Sequence, residues 1–199
     1  FCDIADSKTI KEFNKKSIVD GFTTNPSLMR KAGAKSYEKY SKLLLKICTK
    51  KPISLEVFAD NFVDMEKQAL KINSWGKNIY VKIPVINSKG KFTGKLIKKL
   101  NKNKIKLNIT AVYTVEQVKK INKCLDNKTY SIISIFSGRM ADAGRDPVPI
   151  IRKAVKMTRN KNKVKILWAS TREPYNYTQA KQLGCQIITV PPLIIEKIE

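Results

Sequence analysis

Residues 53–58 read ISLEVF, residues 78–83 NIYVKI and residues 105–112 IKLNITAV. Each is a short apolar run rich in branched residues, and each is separated from the next by a stretch of helical character, 61–75 and then 90–101. Strands that are apolar nearly throughout, alternating with helices, predict a parallel sheet covered by helices on its faces. Working outward, the same beat continues in FCDIA (1–5), IVDGF (18–22), SIISIF (131–136), VKILWA (164–169) and CQIITV (185–190). The intervening segments 7–14, 27–49, 114–125, 147–158 and 175–183 read as helices. Eight units predict an α/β chain closed into one (β/α)8 TIM barrel spanning residues 1–199.

Barrels of this kind usually need about 250 residues, with about 200 near the lower limit. The loops are therefore expected to be short. Only PPLIIEKIE follows the eighth run, which predicts a truncated C-terminal helix, or a chain that continues in the natural protein. A doubly wound open sheet is the alternative, and the lack of a G-x-G-x-x-G after the first run weighs against it.

Composition narrows the chemistry. The 199 residues contain no His, which removes Ser-His-Asp triads, imidazole bases and His-bearing zinc sites. Cys2, Cys48, Cys124 and Cys185 form no C-x-x-C pair, so reduced thiols are expected rather than a metal cluster or a disulfide framework. Two aspartates in the opening FCDIADSK argue against a signal peptide, and no apolar run approaches the roughly 18 residues of a membrane span. A soluble cytoplasmic protein is expected, with no membrane partner. The formal net charge is +24. Lys supplies 34 of the 40 basic residues, and Lys, Ile and Asn together make up 72 residues. That skew is what A+T-rich coding produces, so much of the charge reads as solvated surface.

In a barrel the active site forms at the carboxyl ends of the strands, where inward polar residues are hard to explain as core packing. Seven consecutive runs carry such residues: Asp3; Thr23, Thr24 and Asn25; Glu56; Lys82; Asn108 with Thr110; Arg139 just past Phe136; and Ser170 with Arg172. Any one of them alone is as well explained by an outward side chain or a loop cap. Seven together are not.

Lys82 stands in IYVKIP with apolar neighbours on both sides. Burial disfavours an ammonium, so an inward Lys82 is expected to be nucleophilic near neutrality. With no signature of a pyridoxal cofactor, its electrophile is a substrate carbonyl, and no cofactor or metal is expected. Imine formation makes Lys82 an electron sink for cleaving or forming a carbon–carbon bond. The proton acceptor must then be a carboxylate or a bound water, and Asp3 and Glu56 are the two carboxylates placed on strands. Arg139, Ser170 and Arg172 follow strands six and seven, where barrels commonly hold phosphate, which points to a sugar phosphate substrate.

The segments FCDIAD (1–6), GFTTNPS (21–27), VKIP (81–84), LNITA (107–111), SIFSGR (134–139) with Asp142, and ASTR (169–172) resemble the transaldolases, most closely the small transaldolase and fructose-6-phosphate aldolase branch. The resemblance implies transfer of a dihydroxyacetone unit from a ketose phosphate, fructose 6-phosphate or sedoheptulose 7-phosphate, to an aldose phosphate in the non-oxidative pentose phosphate pathway. By the same resemblance Lys82 forms the imine and Asp3 is the acid/base at the cleaved bond. Glu56 and Thr110 hold a catalytic water, Thr23, Asn25 and Asn108 position substrate or imine, and Arg139, Ser170 and Arg172 hold the phosphate. Phe136 and Glu56 are of the transferase type, since aldolase-like members that release free dihydroxyacetone carry Tyr and Gln there. Similar proteins form homo-oligomeric pentamers or decamers through the last of the helices after strand eight, whereas this sequence stops at Glu199.

A different class of function, a basic nucleic-acid-binding protein, rests on the charge and on residues 89–106, where eight lysines fall within eighteen residues. There Phe92, Leu96, Ile97 and Leu100 share one helical face, so a solvated helix accounts for the run and nucleic acid is not the expected main partner.

Overall fold

The computed structural model describes all 199 residues. Eight parallel strands follow one another around a single sheet in chain order. They are β1 (Cys2–Asp3), β2 (Phe22–Thr23), β3 (Ile53–Glu56), β4 (Ile79–Pro84), β5 (Leu107–Val112), β6 (Ser131–Ile135), β7 (Val164–Trp168) and β8 (Ile187–Ile188). A parallel bridge between Cys2 and Val190 joins the last strand region to the first, through Asp3 N–H to Val190 O at 2.8 Å and Val190 N–H to Phe1 O at 3.0 Å. The sheet is closed as a (β/α)8 barrel, and the open doubly wound alternative is excluded.

The helices are α1 (Ser7–Phe13), α2 (Pro26–Lys31), α3 (Tyr37–Ile47), α4 (Phe62–Asn73), α5 (Gly94–Lys102), α6 (Val115–Cys124), α7 (Ser137–Asp142), α8 (Val148–Thr158), α9 (Tyr175–Gln182) and α10 (Pro192–Ile198). Two features differ from the expectation. The single helix expected over 27–49 is two helices, because Gly33 takes a left-handed φ of +83° and Ser36 starts a new helix by accepting from Lys39 N–H. The short α7 after β6 is an addition, since SGRMAD is too brief to show a helical period. The run 18–22 is also mostly loop, with Ile18 exposed and only Phe22 entering a strand.

The period-two alternation of each strand divides the protein into two interiors. Outward residues such as Phe22, Ile53, Leu55, Ile79, Val81 and Ile83 join the helices in one core cluster of 41 buried residues. Each fully buried aliphatic there contributes roughly 1.5–3 kcal/mol. The opposite phase points into the barrel. Ile132, Leu167 and Ala169 form a separate small cluster there, flanked by Phe1, Tyr80, Phe136 and Ile187. Above this apolar plug the inward positions are polar, which leaves room for chemistry.

Candidate active site

One cavity opens at the carboxyl ends of the strands, lined mostly by polar side chains. Ten of the eleven site residues expected from the sequence line it: Asp3, Thr23, Asn25, Lys82, Asn108, Thr110, Phe136, Arg139, Ser170 and Arg172. The eleventh, Glu56, stands at its edge and reaches it through Lys82.

Lys82 sits in β4 beside Glu56 of β3 and Asn108 of β5 in the strand register. It is 8 % exposed, and its Nζ lies 3.1 Å from Glu56 Oε2 and donates to Thr24 O at 2.9 Å. A buried amine with one carboxylate and one carbonyl as partners is desolvated, oriented and supplied with a proton acceptor. Glu56 is itself fixed from behind. Its backbone N–H donates to Tyr37 Oη at 2.8 Å, and the Tyr37 ring packs edge-on against Phe58, 5.2 Å between centroids. Burial pushes the Tyr37 hydroxyl above the usual phenol range, so it serves as a neutral acceptor.

Asp3 lies across the barrel. Its Oδ1 accepts from Thr23 Oγ1 at 2.6 Å, and Thr23 Oγ1 also meets Thr189 Oγ1 at 2.5 Å. This hydroxyl chain ties β1, β2 and the end of β8 together and holds the carboxylate at the cavity wall. The nearby Asp6 is structural, because its Oδ1 caps α1 by accepting from Thr9 N–H at 2.8 Å.

Between these groups, Asn108 donates from Nδ2 to Ser54 Oγ at 3.0 Å and accepts from Ser134 Oγ at 2.6 Å, so its amide orientation is set from both sides. Asn25 uses Oδ1 to cap α2 through Leu28 N–H, which leaves its Nδ2 for the cavity. Thr110 Oγ1 is buried without a hydrogen-bond partner and lines the cavity. The register of β5 against β6 shifts between Ile109 and Val112, where Ala111 takes φ +58°. Such a bulge re-aims the side chains beside it.

The rim over β6 and β7 is cationic. Arg139 on α7 lies over the Phe136 ring, 5.2 Å from its centroid. Arg172 is held by Asp142 in a fork, Nε to Oδ2 at 3.1 Å and Nη2 to Oδ2 at 2.5 Å, and this guanidinium keeps the Asp142 carboxyl below the ordinary carboxylate range. Ser170 stands between the arginines with φ +64°, a conformation few non-glycine residues adopt. The close approach of α7 makes this arrangement, since a Cβ on Gly138 would lie 1.5 Å from Ser170 O.

Several participants escaped the sequence reading. Ser54, Ser134 and Thr189 are inward by the same period-two count that yields Glu56, Phe136 and Ile187, and counting through each run would have found them. Tyr37 acts through a partner 19 residues away, for which one sequence carries no signal. Asp142 belongs to the segments that carry the resemblance, but its fork with Arg172, 30 residues on, is a contact that only the structure gives.

Comparison with known proteins gives concordant results. A family profile described as Transaldolase/Fructose-6-phosphate aldolase matches residues 1–199. Proteins named probable transaldolase are similar over nearly the whole chain. That of Methanococcus vannielii is 32% identical over 201 residues, covering 100% of this chain and 88% of its own. That of Thermoplasma volcanium is 36% identical over 194 residues, covering 96% and 83%. Among solved structures, a flavocytochrome b2 variant with benzoylformate superposes with a TM-score of 0.60 at 14% identity, covering 96% of this chain. A mandelate oxidase variant does so with a TM-score of 0.59 at 9% identity, covering 96%. This chain spans 55% and 63% of those two chains, and the likeness concerns the barrel fold alone.

Proposed function

The chain belongs to the transaldolase/fructose-6-phosphate aldolase family, and on that premise we propose that it is a Schiff-base transaldolase moving a dihydroxyacetone unit from a ketose phosphate to an aldose phosphate. The observation that carries the mechanism is the buried Lys82 amine in the cavity, 3.1 Å from the Glu56 carboxylate. In this reading Glu56 accepts a proton from the ammonium, and the freed amine attacks the ketose C2. Loss of water leaves an imine on Nζ. Asp3 takes the proton from the C4 hydroxyl, the C3–C4 electron pair moves into the imine, and the aldose phosphate leaves. The remaining three-carbon enamine adds to the carbonyl carbon of an acceptor aldose, Asp3 returns its proton to the new hydroxyl, and water releases the product ketose from Lys82.

The other residues fit this sequence of steps. Thr110 Oγ1, buried and unpartnered, and Glu56 suit a water that carries protons during imine formation. Asn108, set by Ser54 and Ser134, and Asn25 Nδ2 suit the substrate hydroxyls. Arg139, Ser170 and the Asp142-held Arg172 suit the phosphate, as fixed guanidiniums do in general. Phe136 brings no hydroxyl to the cavity at the position where aldolase-like members carry Tyr, which favours transfer over release of free dihydroxyacetone. The reaction places the enzyme in the non-oxidative pentose phosphate pathway, in one barrel domain over residues 1–199. The test is transfer from fructose 6-phosphate to erythrose 4-phosphate by the purified protein. Loss of that transfer in Lys82→Ala is expected, and full retention would refute the reading.

A further inference from the structure

The excess positive charge is not spread evenly over the barrel. The seven loops that run from a helix into the next strand, all on the face opposite the cavity, contain eleven Lys or Arg and two acids, Asp20 and Asp126. The loops on the cavity face, counted from each strand end to the next helix and including 32–36 and 143–147, contain five Lys or Arg and four acids. Seven helices direct their C-termini at the basic face. Each contributes about half a negative charge, so together they offset on the order of three to four of the nine net positives. Helix dipoles therefore do not account for the rest. Nor do ion pairs, because of the eleven only Lys16 meets a carboxylate, that of Glu199. Lys51, Lys106, Lys161 and Lys163 donate to backbone carbonyls, which orients their ammoniums without neutralising them.

Within this face lies an open depression lined by Lys50, Lys77, Lys106, Tyr80 and Tyr130, with no acidic residue. The ammonium of Lys106 lies 5.4 Å from the Tyr80 ring centroid, and that of Lys163 lies 5.1 Å from the Tyr130 ring centroid. Tyr130 is 48 % exposed. We infer that this face is a second binding surface, separate from the cavity, for single-stranded nucleic acid. The lysines would meet backbone phosphates, and Tyr130 would stack on an unpaired base. A bare polyanion would use the charge alone, whereas an exposed ring beside the lysines also offers a stacking face that a base can use. Of the eight lysines in the run at 89–106, by contrast, the four on α5 (Lys95, Lys98, Lys99 and Lys102) are exposed on the flank of the barrel and lie outside this depression.

The test is fluorescence anisotropy of the full chain with a fluorescein-labelled 20-mer of uridylate, across a salt series. Binding is expected with a log–log salt slope of about −0.7 per phosphate contacted. Replacing Lys50, Lys77 and Lys163 by Gln is expected to weaken it at least tenfold, and Tyr130→Ala about tenfold. Replacing Lys95, Lys98 and Lys102 on α5 by Gln is the matched control, expected to change affinity less than twofold. An equal loss in the control, or no binding at low salt, would overturn the inference. So would binding of inorganic polyphosphate that matches the oligonucleotide and ignores Tyr130. Sugar-phosphate transfer by the lysine variants reads the cavity independently and is expected to be unchanged.

Discussion

Replacing Gly138 by Ala addresses the phosphate rim without replacing any residue assigned to substrate, although the new Cβ would also lie 3.1 Å from Arg172 Cγ. The added Cβ would lie 1.5 Å from Ser170 O and 2.7 Å from Ser170 C, whereas ordinary contact begins at 3.4 Å. The Ser170 peptide must therefore retreat by about 1.9 Å, and it starts from a left-handed φ of +64° that leaves it little freedom. Overpacking of this kind costs roughly 1–3 kcal/mol of stability. Displacement by an ångström or more at a positioning group typically costs about a hundredfold in rate. For fructose 6-phosphate, kcat/KM is expected to fall about a hundredfold, mostly through KM, because Ser170 and the neighbouring Arg172 lose their place. Lys82 and Asp3 lie on β4 and β1, away from the shift, so borohydride trapping of unphosphorylated dihydroxyacetone should change less than about twofold. Urea unfolding separates a stability loss from a binding loss. Equal losses with both substrates, or an unchanged KM in a folded variant, would refute the reasoning.

Phe136→Tyr is expected to raise release of free dihydroxyacetone from fructose 6-phosphate without acceptor, measured by a coupled reductase assay; an unchanged rate would remove the reason for preferring transfer. Tyr37→Phe keeps the ring against Phe58 but leaves the Glu56 N–H without its acceptor, at a cost of about 1–3 kcal/mol. It is expected to lower kcat about tenfold with KM little changed; a stability loss with kcat unchanged would mean that Tyr37 does not position Glu56. Burial pushes the Cys48 thiol up to about 11 and the Cys185 thiol up to about 12, from an ordinary value of 9.0. Between pH 9 and those values the native state keeps protons that the unfolded state has lost, so stability is complete below pH 9 and falls as pH rises toward 11–12. The urea midpoint should drop accordingly, and less steeply in Cys48→Ala; an equal drop would contradict the assignment.

Much of the site is legible in the sequence because a barrel strand is a two-state code. Once IYVKIP is a strand whose Ile79, Val81 and Ile83 face the helices, Lys82 has to face inward, and the same logic aligns Glu56, Asn108 and Thr110. Elements whose placement depends on distant partners do not read. The break between α2 and α3 needs the left-handed Gly33, and α7 exists where its Gly138 can close against Ser170. The fork between Asp142 and Arg172 and the support of Glu56 by Tyr37 are contacts between separate βα units. The segregation of charge to one face is equally hidden, because in linear order the lysines run along the whole chain and only the barrel sorts them by end.

Every step of the mechanism depends on Lys82 as the imine-forming residue. Sodium borohydride added to the protein with fructose 6-phosphate, followed by peptide mapping by mass spectrometry, tests that role. Loss of activity is expected, together with one stable three-carbon adduct on the peptide containing Lys82, absent in Lys82→Ala. An adduct confined to another lysine, or full activity with none formed, would contradict it.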